Sequence, residues 1–263
     1  MTDYMKDIES RYYAYLYRTG DANLDTYREY LSTYLPFIQP NTDVLDLGCG
    51  AGDFLEIVSQ KQCRATGVDN DSGMLKLARE RGLTIIDADA IRYISTESYP
   101  ESYDFIFADN FIEHLPPNVL IEMLVGCFRV LRPSGRLLVG TPNPESLHVH
   151  RYEFWRDLTH VRLYNSAVVE FLFHDTGFTD ITSDVNPLTS AMPLISKADI
   201  NELQKRATNL RKSLVGYKAL GNRKLREAAD IMDTLVAELH QIQHVLFYLH
   251  PPREYYVTGI KPN

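Results

Sequence analysis

The sequence predicts one large α/β domain on a mostly parallel, doubly wound sheet of seven strands, with an antiparallel helical hairpin inserted before the last strand. Three observations carry that expectation. Short apolar runs alternate with helical patterns from Asp43 onward. A glycine-rich turn, DLGCGAG at 46–52, joins the first run to the first helix. A heptad pattern in two halves then interrupts the alternation between residues 197 and 250.

Residues 1–40 read as a helical preface, with eight tyrosines up to Tyr34. Asp25 to Leu35 has a helical pattern that Pro36 stops. These tyrosines are expected mostly to pack the preface on the next domain; a lid of aromatics over a pocket is the alternative. The core is placed at 41–196 and 251–263. DVLDL (43–47) is its first strand and Ala51–Gln60 the helix that follows. RATGVD (64–69) is the second strand, leading to a helix at Ser72–Arg81 with Ser72 as N-cap. LTIIDAD (83–89) and YDFIFAD (103–109) are the third and fourth strands. Pro116–Leu131 is a helix with proline in its first turn, Gly135 its stop, and RLLVG (136–140) the fifth strand. Asn165–Thr176 is a helix ended by Gly177, and FTDITSDV (178–185) is the sixth strand. Single helices between strands imply right-handed parallel crossovers.

From Ile200 the apolar positions fall at spacings of three and four through Leu203, Ala207, Leu210, Leu214 and Tyr217. After Gly221-Asn222 the rhythm resumes from Leu225 to Leu249. Two helices joined by a turn, at 197–250, are expected. Pro251-Pro252 ends them, and EYYVTGI (254–260) returns as the last strand.

The chain of 263 residues has a formal net charge of -8, which disfavours broad nucleic-acid binding. Eight of its 27 basic residues and none of its 35 acidic residues fall between Lys205 and Arg226. The hairpin tip, with Lys218, Arg223, Lys224 and Arg226, can therefore attract an anionic glycan, a phosphate or a membrane surface, or simply be a solvated face. No apolar run reaches the ~20 residues of a membrane span, and the start lacks the apolar core of a signal peptide. Cys49, Cys63 and Cys127 lie far apart, as reduced thiols do. A cytoplasmic protein, monomeric or homodimeric, without nucleic-acid partner is the expectation.

The chemistry sits in Asp46-Leu-Gly48-Cys49-Gly50-Ala51-Gly52. Glycines let backbone turn tightly and approach a ligand closely. The helix after them offers unpaired N–H groups. Asp69, closing the second strand about twenty residues later, can accept hydrogen bonds from a ribose. A dinucleotide loop would place its third glycine at position 53, where this chain has Asp53, and a carboxylate repels pyrophosphate. A cationic, phosphate-free nucleoside suits an acidic loop better.

On these residues the sequence resembles class I S-adenosylmethionine-dependent methyltransferases, which have a Rossmann-like core, and the resemblance runs from about Asp43 to Asp180 with EYYVTGIKP as the closing strand. It implies that Asp46, Gly48, Cys49, Gly50 and Gly52 hold the methionine part of the donor. It implies that Asp69 binds the ribose hydroxyls, with Asn70 and Met74 beside the adenine, and that Asp89-Ala90 meets the adenine amino group. Asp109, Asn110 and the following FIEHL would lie under the methyl donor, and S-adenosyl-L-homocysteine would be the product.

For the acceptor, a hydroxyl needs a base, and histidine has a suitable pKa. His114 follows the fourth strand, and Asp157, His160, Arg162 and Tyr164 lie after the fifth, where strand-end loops form the crevice of doubly wound folds. His114, His160 and Asp157 are the catalytic candidates; Arg162 and Tyr164 are the substrate-binding ones. The DLTHVR element resembles methyltransferases of bacterial polysaccharide and O-antigen biosynthesis, which implies a sugar or sugar-phosphate acceptor. His240 and His244 have a helical metal-ligand spacing, but Gln241 stands where a zinc protease helix has glutamate, and no metal is expected. The competing readings are a nicotinamide-dependent oxidoreductase and a catalytically silent domain that retains the donor site.

Overall fold

The computed structural model describes residues 8, 10–15, 24–96, 100–189 and 251–263, with isolated positions between 202 and 241. Contacts divide the chain into two compact units. The first comprises residues 1–145, 149–189 and 252–263; the second comprises 146–148 and 190–251. The hairpin predicted at 197–250, its basic tip, and His240 and His244 lie outside the described residues, apart from isolated helical positions such as Glu202 and Arg206, which form an ion pair at 3.0 Å. Among the described residues, no helix is long and apolar enough to cross a membrane.

The first unit carries a seven-stranded sheet in the order β3-β2-β1-β4-β5-β7-β6. Its strands are β1 (Asp43–Leu47), β2 (Arg64–Asp69), β3 (Ile85–Asp87), β4 (Tyr103–Asp109), β5 (Leu131–Pro142), β6 (Thr179–Val185) and β7 (Glu254–Ile260). The first five run parallel; β7 inserts antiparallel between β5 and β6. The predicted Rossmann-like class is thus the observed one. The helices are α1 (Leu24–Ser32), α2 (Asp53–Ser59), α3 (Ser72–Glu80), α4 (Ala90–Ser95), α5 (Pro117–Val130) and α6 (Ser166–Thr176).

Strand alternation builds a core on each face of the sheet. Leu45, Ile106, Ala108, Leu137 and Val139 point toward α4, α5 and α6, packing with Leu120, Leu124 and Phe173. Val44, Phe105, Phe107 and Leu138 point the other way, under Tyr30 and Leu31 of α1, Tyr34 of the turn after it and Phe54 of α2. Phe54 stacks on Phe107 with ring centroids 3.8 Å apart. Burying rings of this size supplies a large share of such a core's stabilisation.

Three local expectations are corrected. The N-cap of α3 is Asp71, not Ser72: its Oδ1 accepts the Met74 N–H at 2.8 Å. The helix predicted to Leu131 ends at Val130, because Arg132 precedes Pro133 and a residue before proline is pushed to extended backbone; LRPSG therefore opens β5. Helix α4 was missed, since six residues are too few for a legible period.

Gly67 sets how closely β2 can approach the glycine loop. A Cβ on it would lie 2.5 Å from Cys49 Sγ and 2.8 Å from Leu55 Cδ1. Gly67→Ala is expected to lower stability by about 1–3 kcal/mol through overpacking. Urea unfolding monitored by circular dichroism checks this; an unchanged midpoint would contradict the packing described.

Candidate active site

The sheet reverses its order between β1 and β4, and their carboxyl ends open a crevice, as doubly wound folds do at such a point. The loop after β1 fills one side of it. Gly48, Gly50 and Gly52 adopt φ of +74°, +51° and +83°. Side chains are strained in this region, so glycine supplies the turn. At Gly48 an added Cβ would also strike Phe111 Cδ2 at 2.6 Å, whereas at Gly50 it would meet nothing within 4 Å. The loop therefore packs on Phe111 at one end and leaves its middle open to a ligand.

The Gly50 N–H donates to Asp69 Oδ2 at 2.8 Å, and the Asp71 N–H donates to Asp69 Oδ1 at 2.8 Å. Both carboxylate oxygens are thereby fixed at the edge of the crevice, each with lone pairs to spare. Arg81 clamps the far end of the loop, donating to the Ala51 carbonyl at 2.7 Å and to Asp53 at 3.0 Å. Asp53 is thus held by Arg81, with Arg28 at 3.7 Å, and serves the loop's architecture.

A cavity of about 160 Å³ runs along this loop, lined among others by Tyr27, Asp46, Gly50, Phe107 and Asp109. Its electrostatics are acidic. Burial, then the charges of Asp109, Asp69 and Asp53, push Asp46 well above the usual carboxylate range. Burial raises Asp69 too. Asp109, at the end of β4, is pushed up to about 7 by burial, against hydrogen bonds from Tyr30 at 2.7 Å and Asn110 at 3.1 Å. Glu254 of β7 lies in the same buried group and is raised to about 8 by burial and by Asp109. Clustered, desolvated carboxylates favour a cation and disfavour a phosphate.

Other predicted donor contacts are placed as follows. Met74 is buried in the first turn of α3, and Asn70 stands between Asp69 and the N-cap Asp71. Asp89 caps α4, its Oδ1 accepting the Arg92 N–H at 2.9 Å, and Ala90 is buried at that helix's first position. Asn110 takes a left-handed φ of +49° and donates its N–H to the Gly140 carbonyl. Cys49 is buried, its side chain occupying the slot that Gly67 leaves.

A second cluster is built from the turn after β4 and the segment after β5. The rings of His114 and His160 lie 4.8 Å apart by centroid. His160 Nδ1 lies 2.7 Å from the Phe154 carbonyl, so that nitrogen donates and Nε2 is left to other partners. Thr159 Oγ1 donates to Asp157 Oδ1 at 2.7 Å, so at 2.8 Å it accepts from His114 Nδ1. His114 therefore also carries a proton on Nδ1. Burial, then the neighbouring His160, lowers its pKa to about 4, which keeps it neutral. Asp157 is held below the usual range by Thr159 and by Tyr13, whose hydroxyl donates to Oδ2 at 2.8 Å, despite its burial. Asp157 orients this cluster through Thr159.

Tyr164 does not belong in a substrate pocket. It is 2 % exposed and donates its hydroxyl to the Leu115 carbonyl at 2.7 Å, which makes it a core residue. Arg162 is exposed, its guanidinium 5.5 Å from the Tyr164 ring centroid. Several participants had no signal of their own in the sequence. Tyr30 reaches Asp109 across 79 positions. Gly140 leaves room for that carboxylate, since a Cβ would lie 2.0 Å from Asp109 Oδ1. Glu113, inside the FIEHL run, turns inward and accepts a hydrogen bond from Thr141 at 2.9 Å. The tyrosines of the preface split between both expected roles: Tyr34 is core, Tyr30 and Tyr13 hold site carboxylates, and Tyr27 lines the cavity.

Glu113 gives a pH test. Burial raises its pKa to about 8, above that of the unfolded chain. Its contribution to stability is complete below the unfolded-state value and is lost as pH rises toward 8, because the unfolded chain gives up the proton first. Glu113→Gln should flatten the decline of stability between roughly pH 4.5 and 8. Urea midpoints across that range measure it; parallel pH profiles would contradict the assignment.

Comparison with known proteins gives the family and the fold. A family model described as a methyltransferase domain matches residues 18–183. A ubiquinone biosynthesis O-methyltransferase of Pseudomonas fluorescens is 32 % identical over 109 residues, which is 38 % of this chain and 44 % of that protein. The same-named protein of Vibrio cholerae is 24 % identical over 182 residues, 60 % of this chain and 71 % of its own. The match thus spans less than half the length of the Pseudomonas relative. Among solved structures, a SAM-dependent methyltransferase from Archaeoglobus fulgidus superposes with a TM-score of 0.66 at 24 % identity, covering 95 % of this chain and all of that one. Phosphoethanolamine N-methyltransferase 2 of Haemonchus contortus, in complex with S-adenosyl-L-methionine, gives a TM-score of 0.57 at 20 % identity over 89 % of this chain and 52 % of its own. At these identities the superpositions speak for the fold.

Proposed function

Because the chain belongs to the methyltransferase domain family, we propose that it transfers a methyl group from S-adenosylmethionine to a hydroxyl oxygen of a small molecule. The observation that carries the donor is the buried acidic rim, Asp46, Asp69 and Asp109, around a left-handed glycine loop. A sulfonium and an ammonium relieve that repulsion, and Asp69 offers two fixed oxygens to a ribose diol. A nicotinamide dinucleotide would bring two phosphates to the same rim, so the oxidoreductase reading is disfavoured.

When bound, the donor supplies the methyl group. The chain's own contribution is alignment and treatment of the acceptor's proton. Alignment of two reactants is worth up to several kcal/mol of barrier. The imidazoles of His114 and His160, fixed by Thr159 and the Phe154 carbonyl, are the groups we assign to the acceptor's proton. Such a pair favours a hydroxyl over an acceptor that has no proton to lose.

The narrower acceptor we favour is a sugar or sugar phosphate. The DLTHVR resemblance supports it, and exposed Arg162 would meet a phosphate there. The Pseudomonas and Vibrio relatives are named for O-methylation in ubiquinone biosynthesis, which shares the hydroxyl but not the sugar.

Titration calorimetry of the full chain should show uptake of S-adenosylmethionine and none of NAD, with Asp69→Ala weakening uptake at least tenfold. Uptake of NAD, or an Asp69→Ala variant that binds the donor normally, would overturn the donor site. His160→Ala should lower kcat by about 10²–10⁴-fold, the usual range for such a group, with donor affinity unchanged. An unaltered kcat in radiolabelled methyl transfer to hydroxylated acceptors would remove His160 from the chemistry.

A further inference from the structure

Glu113 and His114 lie in the turn after β4, and His160 lies after β5. The turn and the segment meet through backbone, since the Val161 and Arg162 N–H groups donate to the Glu113 carbonyl at 2.8 and 3.1 Å. One ligand-capable atom from each of Glu113, His114 and His160 lies within 4.8 Å of the other two. Among the described residues, no other three histidines, cysteines or carboxylates gather this way.

Two features show a prepared cluster. Each imidazole has its Nδ1 tied down, one by the Phe154 carbonyl and one by Thr159, which is itself held by Asp157. Metal-bound histidines characteristically use the second ring nitrogen in this way, which fixes the tautomer and aims the other lone pair. Glu113 is 1 % exposed, and among the described residues no lysine or arginine forms an ion pair with it. A buried carboxylate of this kind calls for a positive charge or a proton.

We propose that Glu113, His114 and His160 bind one divalent transition-metal ion that takes the acceptor's oxygen. This rests on the reading that the cluster activates a hydroxyl, and it names the means. Two imidazole nitrogens and one carboxylate oxygen leave open positions on the ion and suit Zn²⁺, Mn²⁺, Fe²⁺ or Co²⁺ better than Ca²⁺ or Mg²⁺. Donors about 2.1 Å from one tetrahedral ion lie about 3.4 Å apart, so binding draws atoms that now lie within 4.8 Å together by up to about 1.4 Å. In the reaction the hydroxyl O–H breaks and its proton leaves to water. The oxygen's electron pair forms the new C–O bond, and the C–S pair returns to sulfur, giving S-adenosylhomocysteine. The ion lowers the pKa of the oxygen that attacks.

The test uses the full chain, stripped with EDTA and dialysed. Co²⁺ is titrated while its visible absorption is followed, and Zn²⁺ is titrated by calorimetry. One ion per chain is expected, with His160→Ala and Glu113→Gln weakening uptake at least tenfold at unchanged circular dichroism. Thr159→Ala, whose hydroxyl meets the cluster at His114 Nδ1, should weaken uptake by about tenfold. Folded protein that takes up neither ion, or takes them up equally well in His114→Ala and His160→Ala, would overturn the site. So would methyl transfer that persists undiminished in EDTA, which would leave a histidine as the base. Failure to take up S-adenosylmethionine with ion uptake intact would instead sink the transferase reading and leave the metal site standing.

Discussion

The rest of the site depends on one hydrogen bond, from the backbone N–H of Gly50 to the carboxylate of Asp69. It exists because Gly48, Gly50 and Gly52 turn with positive φ, which carries the loop back over the end of β2. A loop of ordinary residues would take an extended path and leave Asp69 facing water. The bond orients the carboxylate, closes the loop on the sheet and sets the floor on which a nucleoside can lie. Gly67 and Arg81 support it from two sides, one by leaving space for Cys49 and the other by gripping Ala51 and Asp53.

Electrostatics then select what lies there. Asp46, Asp69 and Asp109 are all raised from the usual carboxylate range, with burial the largest cause in each. This costs folding stability, because each group would rather ionise in water. A cationic ligand recovers part of that cost when it binds. The same economy explains Tyr30 and Asn110, which hydrogen-bond Asp109 and hold it in place without neutralising it. The second cluster follows a different plan. There two imidazoles are aligned by a threonine and a main-chain carbonyl, beside the buried Glu113.

What the sequence disclosed is what local chemistry encodes. Strand alternation, the DLGCGAG turn and the acid at the end of β2 are all confined to short windows, where period and residue type carry the information. The parallel crossovers followed from single helices between strands, whereas the strand order did not. Contacts between distant segments left no such trace. Tyr30 on Asp109, Gly140 beneath it and Glu254 beside it come from three elements brought together only by the completed sheet. Tyr164 looked like a pocket residue by its position after His160, yet the chain turns its ring inward and spends its hydroxyl on Leu115. Glu113 sat inside a recognised run, but only the fold shows that it and His160 converge.

The most direct measurement of the central claim is a crystal structure of the chain grown with S-adenosylhomocysteine. The ribose diol is expected on the two oxygens of Asp69, with the amino-acid end along Gly48–Gly50 and the sulfur turned toward Asp109 and the His114–His160 pair. A nucleoside bound elsewhere in the chain, or one whose ribose makes no contact with Asp69 while the glycine loop keeps its left-handed turns, would contradict the account.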